Sequence, residues 1–140
     1  MRKIQEIIVH CTATRAGRSV TACEIDIWHK ARGWKGIGYH YVVMLDGVVV
    51  AGRSENEVGA HCNGKNATSI GVVYVGGLDE NGVACDTRTD AQKMALRRLL
   101  MQLLEKYPSA RIYGHRDFAS KACPCFDAKS EYEILKQSIP

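Results

Sequence analysis

The 140-residue chain lacks any long hydrophobic run. No stretch is apolar over the roughly 18 residues that a membrane-spanning helix needs. The start, Met1 to Glu6, leads directly into an apolar strand pattern, without the apolar core of about 7–15 residues that a signal peptide requires. We therefore expect cytoplasmic synthesis without a signal peptide and no insertion into a membrane. Export would need a route that uses no cleaved signal.

A dense basic stripe is also missing. The chain has 19 Lys and Arg against 15 Asp and Glu, a net charge of +4, and these residues are scattered along it. Nucleic-acid binding depends on clustered Lys and Arg side chains that neutralise phosphates. We therefore expect no nucleic-acid partner and only a mild preference for anionic substrates.

Linkers, repeats and low-complexity segments are absent too. A chain of this length with 46% hydrophobic residues is the usual size for one domain with its own core. We expect residues 1–140 to form a single domain and the protein to be a monomer.

Apolar runs and helix signals predict strands that alternate with helices. Thr21 to Glu24 and Thr89 to Gln92 match capping boxes, and Asp46-Gly47 between two apolar runs predicts a hairpin. The predicted strands are 6–10, 37–44, 48–53, 70–75 and 112–113, and the predicted helices are 22–32, 90–107 and 128–138. This pattern indicates an α/β fold with a mixed β-sheet flanked by helices, in which the hairpin is the antiparallel part.

The chain is rich in cysteine, with six residues at positions 11, 23, 62, 85, 123 and 125. Without a signal peptide we expect reduced thiols rather than a disulfide framework. For Cys11, Cys23 and Cys62 the simplest interpretation is that of small apolar side chains.

Three residues are candidates for a metal site. His10 ends the first strand, His115 follows the strand at 112–113, and Cys123 comes eight residues later in a loop. Side chains at strand ends are typical ligands in α/β sheets, and a catalytic zinc uses three protein ligands and keeps one position open for water. From spacing alone, Cys125 remains an alternative to Cys123.

Lys121 and Tyr39 are candidates for the catalytic work beside such a metal. A hydrolytic site needs a group that stabilises the oxyanion and handles protons, and both side chains can do so. The simpler alternatives are an exposed lysine and a packed tyrosine. Asp117 either orients a ligand imidazole or caps a turn, and His40 is better explained as structural.

Several motifs together resemble type 2 N-acetylmuramoyl-L-alanine amidases, above all the small single-domain phage lysozymes of that group. Peptidoglycan recognition proteins share this fold. The motifs are Val9–Thr14, Gly38–Tyr41, Gly59–His61, Asn66–Gly71, Gly114–Asp117 and Lys121–Pro124.

The resemblance implies a role for each candidate residue. Zinc would be bound by His10, His115 and Cys123, with Cys123 chosen over Cys125 because it stands between Lys-Ala and Pro. Tyr39 and Lys121 would be the catalytic pair, and His61 and Asn66 would bind substrate. The catalytic glutamate that some amidases carry on the strand at 70–75 is missing here.

The function implied by the resemblance is zinc-dependent cleavage of the amide between N-acetylmuramic acid and L-alanine in bacterial peptidoglycan or muropeptides. A phage-derived enzyme would act on the cell wall after release. One alternative is a module that binds peptidoglycan without cutting it. Another is a cysteine hydrolase that pairs Cys123 or Cys11 with His115.

Overall fold

A five-stranded mixed sheet forms the centre of the structure, a computed structural model that describes residues 2–137. The seven strands of this part are β1 (Glu6–Cys11), β2 (Thr14–Arg15), β3 (Tyr41–Val43), β4 (Val49–Ala51), β5 (Ser69–Tyr74), β6 (Gly77–Leu78) and β7 (Arg111–Gly114). The large sheet has the order β4-β3-β5-β1-β7, in which only the β3–β4 hairpin is antiparallel. The fold class predicted from the sequence is confirmed.

The two middle strands, β1 and β5, are buried over their whole length. Both are rich in β-branched residues, which suit a strand covered on both faces. Because β5, β1 and β7 run parallel, their carboxyl ends lie at one edge of the sheet.

Three α-helices of the described residues cover this sheet: α1 (Ala22–Ala31), α2 (Asp90–Lys106) and α3 (Ala128–Gln137). The capping boxes at Thr21 and Thr89 are both formed, as predicted. The predicted end of the third helix, Ser138, lies outside the described residues.

The helices divide the core into two layers. The leucine stripe of α2 packs with Val9, Val72 and Tyr74 on one face of the sheet, and Ile25 of α1 packs with Val73 on the other. Side chains alternate along a strand, so Val9 points toward α2 and His10 toward the face covered by α1. No helix within residues 2–137 is long and apolar enough to cross a membrane.

The structure corrects two details of the prediction. The strand expected over 37–44 is regular only over Tyr41–Val43, because the loop at Ala60 crosses Gly38 so closely that a Cβ there would lie 2.1 Å from the Ala60 oxygen. A further strand, β6, which the prediction does not include, pairs with β2. On α1 the buried residues are Ile25 and His29.

Candidate active site and metal centre

His10, His115 and Cys123 meet at the carboxyl edge of the sheet, where one ligand atom from each lies within 4.8 Å of the others. His10 is the fifth residue of β1, and His115 begins the 3-10 turn that follows the neighbouring strand β7. The parallel pairing of these two strands brings the imidazoles together, with ring centroids 4.6 Å apart. Asp117 accepts a hydrogen bond from the Gly114 N–H at 2.8 Å, so it caps the turn that carries His115.

Cys123 reaches the site on a loop that is tied to the sheet. The backbone N–H of Cys11 donates to the Cys123 Sγ at 3.2 Å, and the Tyr74 hydroxyl donates to the Pro124 carbonyl at 2.7 Å. The Cys123–Pro124 peptide bond is cis. Hydrogen bonds from the thiol and backbone of Cys11 lower the pKa of Cys123, which favours the thiolate that binds metals.

Cys125 differs from Cys123 in each of these respects. Its Sγ points to the Gly77 carbonyl at 3.3 Å, outside the group formed by the two histidines and Cys123. Burial raises the pKa of the Cys125 thiol to about 12, so it stays protonated.

The two imidazoles of the group are held neutral. Burial lowers the pKa of His10 well below its ordinary value, and the neighbouring His61 and His115 lower it further. Burial and the Lys121 ammonium lower the pKa of His115. Metal ligation requires the neutral imidazole, so this environment suits the role.

The donor set fits a zinc ion. Zinc binds His nitrogen and Cys sulfur at about 2.0–2.3 Å, so ligand atoms arranged tetrahedrally around one ion lie about 3.3–3.8 Å apart. The separations in this group, up to 4.8 Å, would therefore shorten by about 1 Å when an ion binds. Two nitrogens and one sulfur match a three-ligand catalytic site with an open position rather than a closed structural one.

Tyr39 and Lys121, the predicted catalytic pair, both border this group. The Tyr39 ring centroid is 5.1 Å from that of His10, and burial raises the pKa of its hydroxyl, which therefore remains a hydrogen-bond donor. Lys121 is exposed and lines a groove that opens over His115.

That groove has a volume of about 500 Å³, and both predicted substrate residues lie in its lining. His61 is buried, whereas Asn66 is half-buried and uses its Oδ1 to accept the N–H groups of His61 and Cys62 at 2.8 and 2.9 Å. Asn66 therefore fixes the loop that forms this wall of the groove. Trp34 and Arg32 extend the lining on the other side.

His29 is a neighbour of the site that the sequence analysis missed. Its Nδ1 accepts the Gly38 N–H at 2.8 Å, and its ring packs 5.3 Å from the Tyr39 ring. It stands four residues after Ile25, on the apolar side of α1, and that spacing was the available signal. His29 thus supports the backbone beside Tyr39.

Fold and site together define a small α/β protein with a His-His-Cys group that could hold a metal ion, beside an open groove. The family profile for N-acetylmuramoyl-L-alanine amidase matches residues 1–126. The chain belongs to this amidase family.

Three relatives illustrate the similarity. The endolysin of Klebsiella phage KP32 is 46% identical over 132 residues, which cover 94% of this chain and 87% of that protein. The solved structure of the N-acetylmuramoyl-L-alanine amidase LysC from Clostridium intestinale URNW superposes with a TM-score of 0.82 at 32% identity, covering 99% of this chain and 88% of that one. The structure of tracheal cytotoxin bound to the ectodomain complex of peptidoglycan recognition proteins LCa and LCx has a TM-score of 0.77 at 26% identity, covering 95% and 82%.

The buried histidines predict how the stability of the metal-free protein depends on pH. Burial lowers the pKa of all five, to about 4 for His29 and about 3 for His61. Between pH 6.5 and 5 the unfolded chain binds more protons on these side chains than the folded protein does, above all at His10, His29 and His61. The free energy of unfolding should therefore decrease as the pH is lowered through this window. The decrease is up to about 1.4 kcal/mol per pH unit for each histidine that stays neutral in the folded protein.

Urea unfolding between pH 7.5 and 5 measures this slope. The His29→Asn variant keeps an acceptor for the Gly38 N–H and removes one titrating ring, so its slope should be smaller than that of the wild type. A free energy of unfolding that is flat over this range would show that the buried imidazoles accept protons without cost.

Proposed function

We propose that the protein is a zinc-dependent N-acetylmuramoyl-L-alanine amidase that hydrolyses the amide between N-acetylmuramic acid and L-alanine. The observation that carries the proposal is the grouping of His10, His115 and Cys123 within 4.8 Å in a chain of the amidase family. Residues 1–140 would then act as one zinc amidase domain.

Zinc in this group would supply a Lewis acid that polarises the scissile carbonyl and acidifies water at neutral pH. His10 and His115 are already neutral, and Cys123 has a lowered pKa, so few protons must be displaced when the ion binds. The backbone N–H of Cys11, which donates to the Cys123 Sγ, holds the sulfur in place and spreads its charge.

Lys121 and Tyr39 would stabilise the charge that develops on the substrate. The Lys121 ammonium lies at the groove wall beside His115, where a carbonyl oxygen gains negative charge as its carbon becomes tetrahedral. The Tyr39 hydroxyl stays protonated because desolvation raises its pKa, so it can donate a hydrogen bond to the same oxygen. In this proposal these two residues take the place of the missing glutamate on β5.

The groove supports peptidoglycan or muropeptides as the substrate. A volume of about 500 Å³ accepts a sugar and the first residues of a stem peptide, and His61 and Asn66 lie in its wall. A relative of the same fold binds the muropeptide tracheal cytotoxin. Relatives such as the endolysin of phage KP32 support action on the cell wall after release from the cytoplasm.

The first experiment tests cleavage itself. Purified protein is incubated with bacterial peptidoglycan and with soluble muropeptides, and newly exposed L-alanine amino groups are quantified. We expect release that a strong chelator abolishes and added zinc restores. Binding to wall fragments without release from a zinc-loaded, folded sample would instead establish the binding module. Activity that resists chelation but is lost on thiol alkylation would indicate the cysteine hydrolase.

The two thiols around Pro124 provide a matched pair of variants for the metal site. Cys123→Ser should lower zinc affinity at least about 100-fold, because it removes a ligand and not merely a residue that supports one. Cys125→Ser should bind zinc like the wild type, because its Sγ faces the Gly77 carbonyl. A chelator competition titration measures the zinc affinity of both variants. Equal losses of zinc affinity would show that the assignment of Cys123 as the ligand is wrong.

Lys121→Ala separates catalysis from metal binding. The variant should keep its zinc and lose at least about 100-fold in kcat, the usual scale for removing one group that stabilises an oxyanion. Lys129→Ala is the control, since Lys129 is an equally exposed lysine on α3 that lies outside the groove. Full activity of Lys121→Ala on muropeptides would remove this lysine from the mechanism.

A further inference from the structure

His61 contacts a candidate ligand as well as the groove. Its Nδ1 lies 2.8 Å from the Nε2 of His10, and both rings are buried. The rings meet edge to face, with centroids 4.9 Å apart. His61 does not belong to the group of His10, His115 and Cys123, so it stands behind a ligand and not among the ligands.

The other side of the His61 ring is held as firmly. Its Nε2 lies 3.2 Å from the hydroxyl of Ser69, which is fully buried at the start of β5. Gly71 leaves the space for the ring, because a Cβ there would lie 2.6 Å from two of its carbon atoms. A continuous hydrogen-bonded path therefore runs from His10 through His61 to Ser69.

We propose that His61 is a positioning residue for His10: it accepts the Nε2–H of His10 and so fixes the tautomer that leaves Nδ1 free for the metal. A neutral imidazole carries one N–H, and the partner of that N–H decides which nitrogen can bind a metal. In turn His61 donates its own Nε2–H to the Ser69 hydroxyl. This role rests on the proposed function only in taking zinc as the metal.

This role differs in its consequences from substrate binding, which the resemblance implies for the same residue. A residue that only contacts substrate affects KM and leaves zinc affinity unchanged. A partner that orients a ligand imidazole affects zinc affinity in the absence of any substrate, typically by about 10–100-fold. Zinc affinity therefore distinguishes the two roles.

Two isosteric variants separate the ends of the His61 ring. In His61→Asn, the amide oxygen takes the place of Nδ1 and can still accept from His10. In His61→Gln, the amide reaches toward Ser69, and His10 is left without an acceptor. We expect His61→Gln to lower zinc affinity about 10–100-fold and His61→Asn to stay within about threefold of the wild type.

The measurement is a chelator competition titration on the purified full chain without substrate, with thermal unfolding as a check on folding. Asn63→Ala is the control, since Asn63 lines the same groove and lies outside the path from His10 to Ser69, and its zinc affinity should be unchanged. If His61→Gln fails to fold, Ser69→Ala provides the test, because it weakens the same path from the far end and should also lower zinc affinity.

Equal zinc affinity in the wild type and in the folded His61→Gln or Ser69→Ala variant would overturn the positioning role. A rise in KM alone would then assign His61 to substrate binding. The proposed function fails by a different result, which is zinc-loaded wild-type protein that releases no L-alanine amino groups. The predicted difference in zinc affinity between the Gln and Asn variants is tested without that assay, so the two proposals can fail separately.

Discussion

The parallel pairing of β1 with β7 is the constraint on which the site depends. The pairing matches Glu6–Val9 with Arg111–Gly114, so the residues that follow the last matched pair lie at the same level of the sheet. The residue after each matched segment is a histidine, and this pairing brings the two imidazoles together. A shift of one residue in either strand would turn one imidazole to the opposite face. Burial of Ile7 and Val9 against α2 therefore also sets the geometry of the site.

The third member of the group needs a different support, because Cys123 lies in a loop and not beside a strand. A buried arginine anchors the end of that loop. Arg88 stacks 3.4 Å from the centre of the Phe126 ring and forms ion pairs with Asp86 and Glu131 at 2.9 and 2.7 Å. A buried guanidinium is tolerated only when its charge is matched in this way. The Arg88 cluster and the hydrogen bond from the Tyr74 hydroxyl to the Pro124 carbonyl fix the loop against the sheet. Cys123 is therefore held beside the two histidines, whose positions are set by the sheet.

Those parts of the fold and site that depend on local sequence could be predicted from it. Local structure is encoded within a few residues at the capping boxes of Thr21 and Thr89 and at the Asp46-Gly47 hairpin. Likewise, the histidines at two strand ends indicated a shared site because parallel strands share an edge. Contacts between distant segments could not be predicted. Arg88 meets Glu131 43 residues away in sequence, and His61 meets His10 51 residues away. No periodic pattern records such pairs, and the short β2–β6 pairing was missed for the same reason.

The charge of the site supports the role proposed for Lys121. Two neutral imidazoles and a deprotonated Cys123 would contribute a single negative charge, so a divalent cation bound there would leave a net charge of about +1, to which Lys121 would add another. A base held near this charge would lose basicity, because the positive field lowers its pKa. An oxyanion in the same place is stabilised, and a neutral tyrosine donor such as Tyr39 strengthens that effect. In the proposed mechanism these residues would therefore stabilise developing negative charge, and a bound metal would supply the acidity that activates water.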